Sequence, residues 1–182
     1  MKKVKIFLLV FIMSIFETAT LANYDKLAYD FTFKNIDGND LNLSQYNGKI
    51  LIIVNVASQC GFTNQYKDMQ KIWETYQKKD VIVIGVPSND FNQEPENNNK
   101  IKNFCETTFG ITFPMTEKVS VKGENAHPFY KWALKNHGKS AVPKWNFHKI
   151  IIGKSGKIED TFVSLTNPTS QKFIKAIEKA LN

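Results

Sequence analysis

Two nearly unbroken apolar, β-branched runs, Ile50 to Val56 and Val81 to Val86, restrict the possible folds of this chain more than any other feature. A strand with one wet face alternates polar and apolar residues. A run without that alternation belongs to a strand covered on both faces, as in parallel or mixed sheets. Between the two runs, Gln65 to Lys79 carries Met69, Ile72, Trp73 and Tyr76 at helical spacing. Strand, helix and strand in this order predict a right-handed crossover and an α/β architecture.

The remaining segments fit around that unit. Phe31-Thr32-Phe33 and Leu41-Asn42-Leu43 alternate in strand fashion about an Asp37-Gly38 turn, which predicts a hairpin. Pro87 ends the second apolar run, and Ser88 to Pro95 is a polar loop. Glu96 to Thr107 reads as a helix with Ile101, Phe104 and Cys105 on one face, and Phe109 to Val121 as short extended pieces around Pro114. His127 to His137 reads as a helix with Pro128 in its first turn. Phe147 to Ile152 and Lys157 to Val163 read as strands around Gly153-Lys154-Ser155-Gly156, and Asn167-Pro168 as the opening of a last helix that ends near Leu181. With 182 residues, 42% of them hydrophobic, and no internal repeat or linker, a single domain over residues 23–182 is expected.

Residues 1–22 read differently. Lys2, Lys3 and Lys5 precede an apolar run from Ile6 to Phe16, and Thr20-Leu21-Ala22 supplies small residues for cleavage. This is the layout of a secretory signal peptide. The run is short for a membrane anchor, which needs about 18 apolar residues. An exported protein, periplasmic or secreted, is therefore expected, in a compartment where two cysteines can form a bridge. The formal net charge is +7, and all 24 basic residues are lysines. They are scattered, with no basic block and no nucleic-acid motif, which speaks against a nucleic-acid partner.

Three places can carry chemistry. Cys60 stands at the corner between the first apolar run and its helix, where backbone N–H groups and the helix dipole favour a thiolate. A small buried hydrophobe is the alternative. Gln93 offers an amide in the polar loop after the second run, where open α/β sheets place ligand groups. Trp145 and Asn146 offer two N–H donors side by side ahead of a strand, suited to stabilising an anion or, alternatively, to core packing. Cys105 is either half of a bridge or a buried helix cysteine. His127, His137 and His148 have no metal-ligand spacing with the cysteines, no complete phosphate loop is present, and neither Cys-x-x-Cys nor Gly-x-Ser-x-Gly occurs. No metal or cofactor is expected.

Taken together, Asn55-Val56-Ala57-Ser58-Gln59-Cys60-Gly61-Phe62-Thr63, Phe91-Asn92-Gln93-Glu94-Pro95 and Trp145-Asn146-Phe147 resemble, in order, the three signature segments of the glutathione peroxidase family. The resemblance implies a thioredoxin-like fold, a central mixed sheet flanked by helices, with an N-terminal β-hairpin. It implies a thiol peroxidase that reduces hydrogen peroxide and organic or lipid hydroperoxides at Cys60, Gln93, Trp145 and Asn146. Cys60 stands at the family's selenocysteine or cysteine position. The resemblance further implies Cys105 as the resolving thiol and a thioredoxin-like reductant or glutathione as electron donor. The chain has no arginine, and lysine does not reproduce the bidentate fork that holds glutathione carboxylates, so weak glutathione use is expected. The short stretch from Lys135 to Trp145 lacks the insertion of tetrameric members. A monomer with an open site is expected, with transient contact to anionic membrane surfaces through its lysines. The rival expectation is a peroxide-sensing switch that works through a Cys60–Cys105 disulfide.

Overall fold

The computed structural model describes residues 24–182, so the leader expected over residues 1–22 lies outside the described residues. The elements follow in the order β1 (Thr32–Lys34), β2 (Asp40–Asn42), β3 (Ile50–Val56), α1 (Gln65–Tyr76), β4 (Val81–Pro87), α2 (Asn98–Phe109), α3 (Pro128–His137), β5 (Lys149–Ile152), β6 (Ile158–Phe162) and α4 (Gln171–Leu181). The main sheet has the order β4-β3-β5-β6, and β1 and β2 form a separate hairpin. β4 runs parallel to β3, while β5 is antiparallel to β3 and β6 to β5. This is the thioredoxin-like mixed sheet with an N-terminal hairpin.

The apolar runs are continuous because the sheet has a core on each side. Every residue of β3 and β4 is buried. Ile50, Ile52, Val54 and Val56 face Met69 and Ile72 of α1, Ile101 of α2, and Phe173 and Ile177 of α4. Leu51 and Ile53 face Phe33 and Leu41 of the hairpin and Phe129 and Trp132 of α3. Each fully buried side chain of this size stabilises the fold by about 1.5–3 kcal/mol. Gly85 interrupts β4 for a steric reason: the chain around Pro114 pairs along this edge, with Gly85 N–H donating to Pro114 O and Thr116 N–H to Gly85 O, both at 2.9 Å. A Cβ on Gly85 would strike the Met115 side chain.

Several boundaries differ from expectation, each for a local reason. α2 starts at Asn98 rather than Glu96, because the Glu94 and Glu96 carbonyls are engaged by Lys118 Nζ and Asn97 supplies the cap, accepting from Lys100 N–H. α4 starts at Gln171, not Asn167: the Asn167 side chain folds a turn by accepting from Thr169, and Ser170 is the cap. α1 ends at Tyr76 and tightens into a 3-10 turn through Lys79 before Asp80 turns left-handed. The strand expected from Phe147 begins only at Lys149, because Phe147 itself is left-handed with φ of 61°.

Candidate active site

The C-terminal ends of β3 and β4 and the start of β5 share one rim of the sheet, since Val54 pairs with both Gly85 and Lys149 and Val56 pairs with Pro87. Cys60 lies in the turn after β3 and is 6% exposed. Its Sγ accepts from Phe62 N–H at 3.4 Å. The cap of α1 is Asn64, so the nearest donor to the sulfur belongs to the turn, not to the first turn of the helix as the sequence suggested. Thr63 N–H donates to Cys60 O at 3.0 Å and Thr63 Oγ1 donates to the same carbonyl. These bonds fold the turn around the sulfur and lead the chain into α1.

The Gln93 loop is bound to this turn. Gln59 N–H donates to Gln93 O at 3.0 Å. Ser58 donates twice to Glu94 Oε2, from N–H at 2.7 Å and from Oγ at 2.8 Å. Glu94 is fully buried and its Oε1 is without a hydrogen bond. Burial pushes its carboxyl up, against the downward pull of the Ser58 bonds. Asn92, beside Gln93, adopts φ of 56°. Asparagine tolerates that conformation better than most residues.

The third segment is clamped by Asn55, the one polar residue in β3. Its backbone O accepts from Phe147 N–H at 2.6 Å, its Oδ1 from His148 N–H at 3.0 Å, and its Nδ2 donates to Trp145 O at 3.2 Å. Asn146, fully buried, donates from Nδ2 to Gln93 Oε1 at 2.8 Å. This contact turns the Gln93 amide so that its NH₂ is a free donor. Trp145 is 41% exposed and packs on Phe91, with ring centroids 5.4 Å apart. Left-handed residues thus sit beside both amides, Asn92 next to Gln93 and Phe147 next to Asn146. For an aromatic residue such a conformation costs about 1–3 kcal/mol, the kind of backbone strain that clusters at active sites.

Beside Trp145 a groove of about 490 Å³ is lined by Phe62, Val163 and Leu165, with His148 at its base and Lys144 at its rim. Burial, reinforced by Lys149 and Lys144, holds His148 down to about 4, so it is neutral at pH 7. Lys149 is itself fully buried; its Nζ donates to Gln65 Oε1 and Thr166 O, and desolvation lowers it to about 7.

Gln93, Asn146 and the Cys60 turn are therefore brought together, with Trp145 at the surface beside them. Cys105 is carried by α2, 1% exposed, and belongs to the same buried cluster as Cys60. Burial raises its thiol to about 11. Both cysteines are free thiols, so the structural bridge considered from the sequence is not formed. Sequence reasoning assigned no role to Asn55, Glu94 or Tyr66. Asn55 had a signal, a lone amide inside an apolar strand. Glu94 is indistinguishable from a solvated loop carboxylate until its partner Ser58 is seen.

Fold and corner together define a thioredoxin-like protein with one cysteine, instead of a Cys-x-x-Cys pair, after its central strand. Known proteins narrow this class. The family model for glutathione peroxidase matches residues 28–135. The Bacillus subtilis glutathione peroxidase homolog BsaA is 43% identical over 145 residues, 77% of this chain and 90% of that protein. The hydroperoxy fatty acid reductase gpx1 of Synechocystis is 39% identical over 169 residues, 88% of this chain and 99% of that protein. The crystal structure of Trgpx in its apo form superposes with a TM-score of 0.69 at 35% identity, over 86% of this chain and 96% of that one. A thioredoxin-family thiol:disulfide interchange protein from Chlorobium tepidum, 20% identical with a TM-score of 0.63 over 84% of this chain and 93% of its own, shares the fold. The chain belongs to the glutathione peroxidase family.

Proposed function

We propose that this protein is a thiol peroxidase whose nucleophile is Cys60. The observation that carries this reading is the coupling of three loops at one sheet rim: the Cys60 turn is hydrogen-bonded to the Gln93 loop, and Gln93 is hydrogen-bonded to Asn146. The Cys60 thiolate attacks one peroxide oxygen, forming an S–O bond as the O–O bond breaks. The departing oxygen takes up a proton, by way of water, and leaves as water or alcohol, while Cys60 becomes a sulfenic acid. The free NH₂ of Gln93, the second N–H of Asn146 and the Trp145 indole N–H are the donors that meet the developing negative charge. Cys105 then resolves the sulfenic acid to a disulfide, and a thioredoxin-like reductant recycles it more effectively than glutathione, in keeping with an all-lysine surface that lacks guanidinium forks.

The apolar groove beside Trp145 supports organic and lipid hydroperoxides as substrates alongside hydrogen peroxide. The relative from Synechocystis is named for hydroperoxy fatty acids. The further reading is of an exported monomer that touches anionic membrane surfaces. It rests on the leader-like residues 1–22, the short stretch before Trp145 and the scattered lysines.

Peroxide consumption in the presence of a thioredoxin system tests the core of this reading. Turnover falls to background in Cys60→Ser; equal turnover in the two proteins would refute the assignment. A parallel assay with glutathione, N-terminal sequencing of the protein recovered from cells, and sedimentation of the purified chain test the reductant, the leader and the monomer. Sustained turnover, as opposed to one stoichiometric oxidation, separates the enzyme from a sensor.

A further inference from the structure

Tyr66 lies in the first turn of α1 and is completely buried. Its ring meets Phe147 edge-on, with centroids 5.2 Å apart and planes at 88°, and packs on Phe109 of α2 at 5.2 Å. It thus bridges the segment that carries Asn146 and the helix that carries Cys105. Its hydroxyl is enclosed and has no partner at full hydrogen-bond geometry. The Cys105 thiol lies in the same buried cluster, as does Cys60, and Glu94 is a further ionisable neighbour of the hydroxyl. A buried tyrosine hydroxyl ordinarily finds an acceptor. A neutral thiol is a weak one, whereas a thiolate is a strong one.

The surroundings of Cys105 otherwise oppose ionisation. Burial raises it, and the carboxylates of Glu94, from the loop after β4, and Glu106, on α2, raise it further. On its outer side it lines a cavity of about 360 Å³ together with Asp37, Lys102 and Glu106. Lys102 is the cation there, and it is paired with Asp37 at 2.7 Å. Among these groups the Tyr66 hydroxyl is the one that lowers the cost of a thiolate at Cys105. Burial holds the Tyr66 phenol well above its ordinary range, so it keeps the proton it must donate.

We propose that Tyr66 is a positioning residue for resolution: its hydroxyl donates a hydrogen bond to the Cys105 sulfur as that thiol ionises, and holds it toward Cys60. The inference rests on the peroxidase reading above. In the step concerned, Cys105 gives up its proton and its thiolate attacks Sγ of the Cys60 sulfenic acid. The S–S bond forms, the S–O bond breaks, and the departing hydroxide takes a proton to leave as water. Tyr66 ends the step with its own proton in place. The oxidising equivalents are those the hydroperoxide delivered to Cys60.

The test follows the two half-reactions separately in the full chain, mixed with one equivalent of hydrogen peroxide between pH 6 and 9. Sulfenic acid at Cys60 is measured by dimedone trapping and the disulfide by mass spectrometry. In Tyr66→Phe, sulfenic acid forms within twofold of the wild-type rate, while disulfide formation slows at least tenfold at pH 7 and its pH profile moves upward. Disulfide formation at the wild-type rate and with the wild-type profile overturns the proposal. Fluorotyrosine at position 66 keeps the shape of the side chain and makes a stronger donor, so it covers the case of a poorly folded phenylalanine variant. It moves the profile to lower pH, and an unmoved profile overturns the proposal. Cys105→Ser accumulates the sulfenic acid; resolution at the wild-type rate in that variant removes Cys105, and Tyr66 with it. A wild-type protein that forms no sulfenic acid at Cys60 sinks the peroxidase reading as well, which distinguishes the two failures.

Discussion

Lys149 shows how a single residue can couple the site's surroundings to pH. A lysine in the unfolded chain releases its proton near its ordinary 10.5, whereas the buried one releases it at about 7. Within that window the folded state binds fewer protons than the unfolded state, so stability rises with pH. Between pH 7 and 8.5, before Cys105 and the buried tyrosines matter, denaturant midpoints should climb in the wild type. In Lys149→Met they should stay flat, and equal slopes would contradict the buried charge. His148 acts in the same sense at lower pH: its folded value of about 4 lies below its ordinary 6.5, so stability is lost as pH falls through that interval. At the opposite end of the site, Gln93 has its carbonyl oxygen occupied and its NH₂ free. Replacing it with alanine should slow sulfenic acid formation about 10²–10³-fold, the usual cost of one preorganised donor. Stopped-flow oxidation by hydrogen peroxide measures this directly.

Among the elements, the segment after β6 carries exposed apolar residues that lie outside the core clusters. Leu165 is 80% exposed and Val163 52%, yet both face the groove at Trp145. Glutamate at Leu165 should raise KM for a fatty acid hydroperoxide severalfold while leaving turnover of hydrogen peroxide unchanged, as paired steady-state assays would show. Unchanged KM for both substrates would remove the groove from substrate binding. β4 makes a different demand. Gly85→Ala drives a methyl into Met115 and parts the edge that Pro114 and Thr116 pair with, which should cost about 1–3 kcal/mol, typical of overpacking. Thermal unfolding reads that loss.

At the scale of the whole molecule, the sheet and its order of elements were legible because the two β-branched runs and the amphipathic segment between them leave few other arrangements. The rim residues were legible as types: Cys60 at a corner, an amide at Gln93, paired donors at Trp145 and Asn146. What joins them was not. The bonds of Asn55 to three residues of the β5 approach, the seating of Glu94 under Ser58, and the place of Tyr66 beside Cys105 are long-range contacts with no local periodicity. Phe147 read as strand because aromatic residues favour strands; the hydrogen bonds to Asn55 outweigh that propensity and hold it left-handed. The depth of the sheet has one more consequence. β3 is covered on both faces along all seven residues, whereas α2 buries only Ile101 and Cys105. Amide hydrogen exchange should therefore be slowest in β3 and orders of magnitude faster in α2. The two sulfurs then hang from parts of the molecule that open at very different rates: Cys60 is moored behind the last strand to let go, and on the reading proposed above Cys105 comes to it on a helix that opens first.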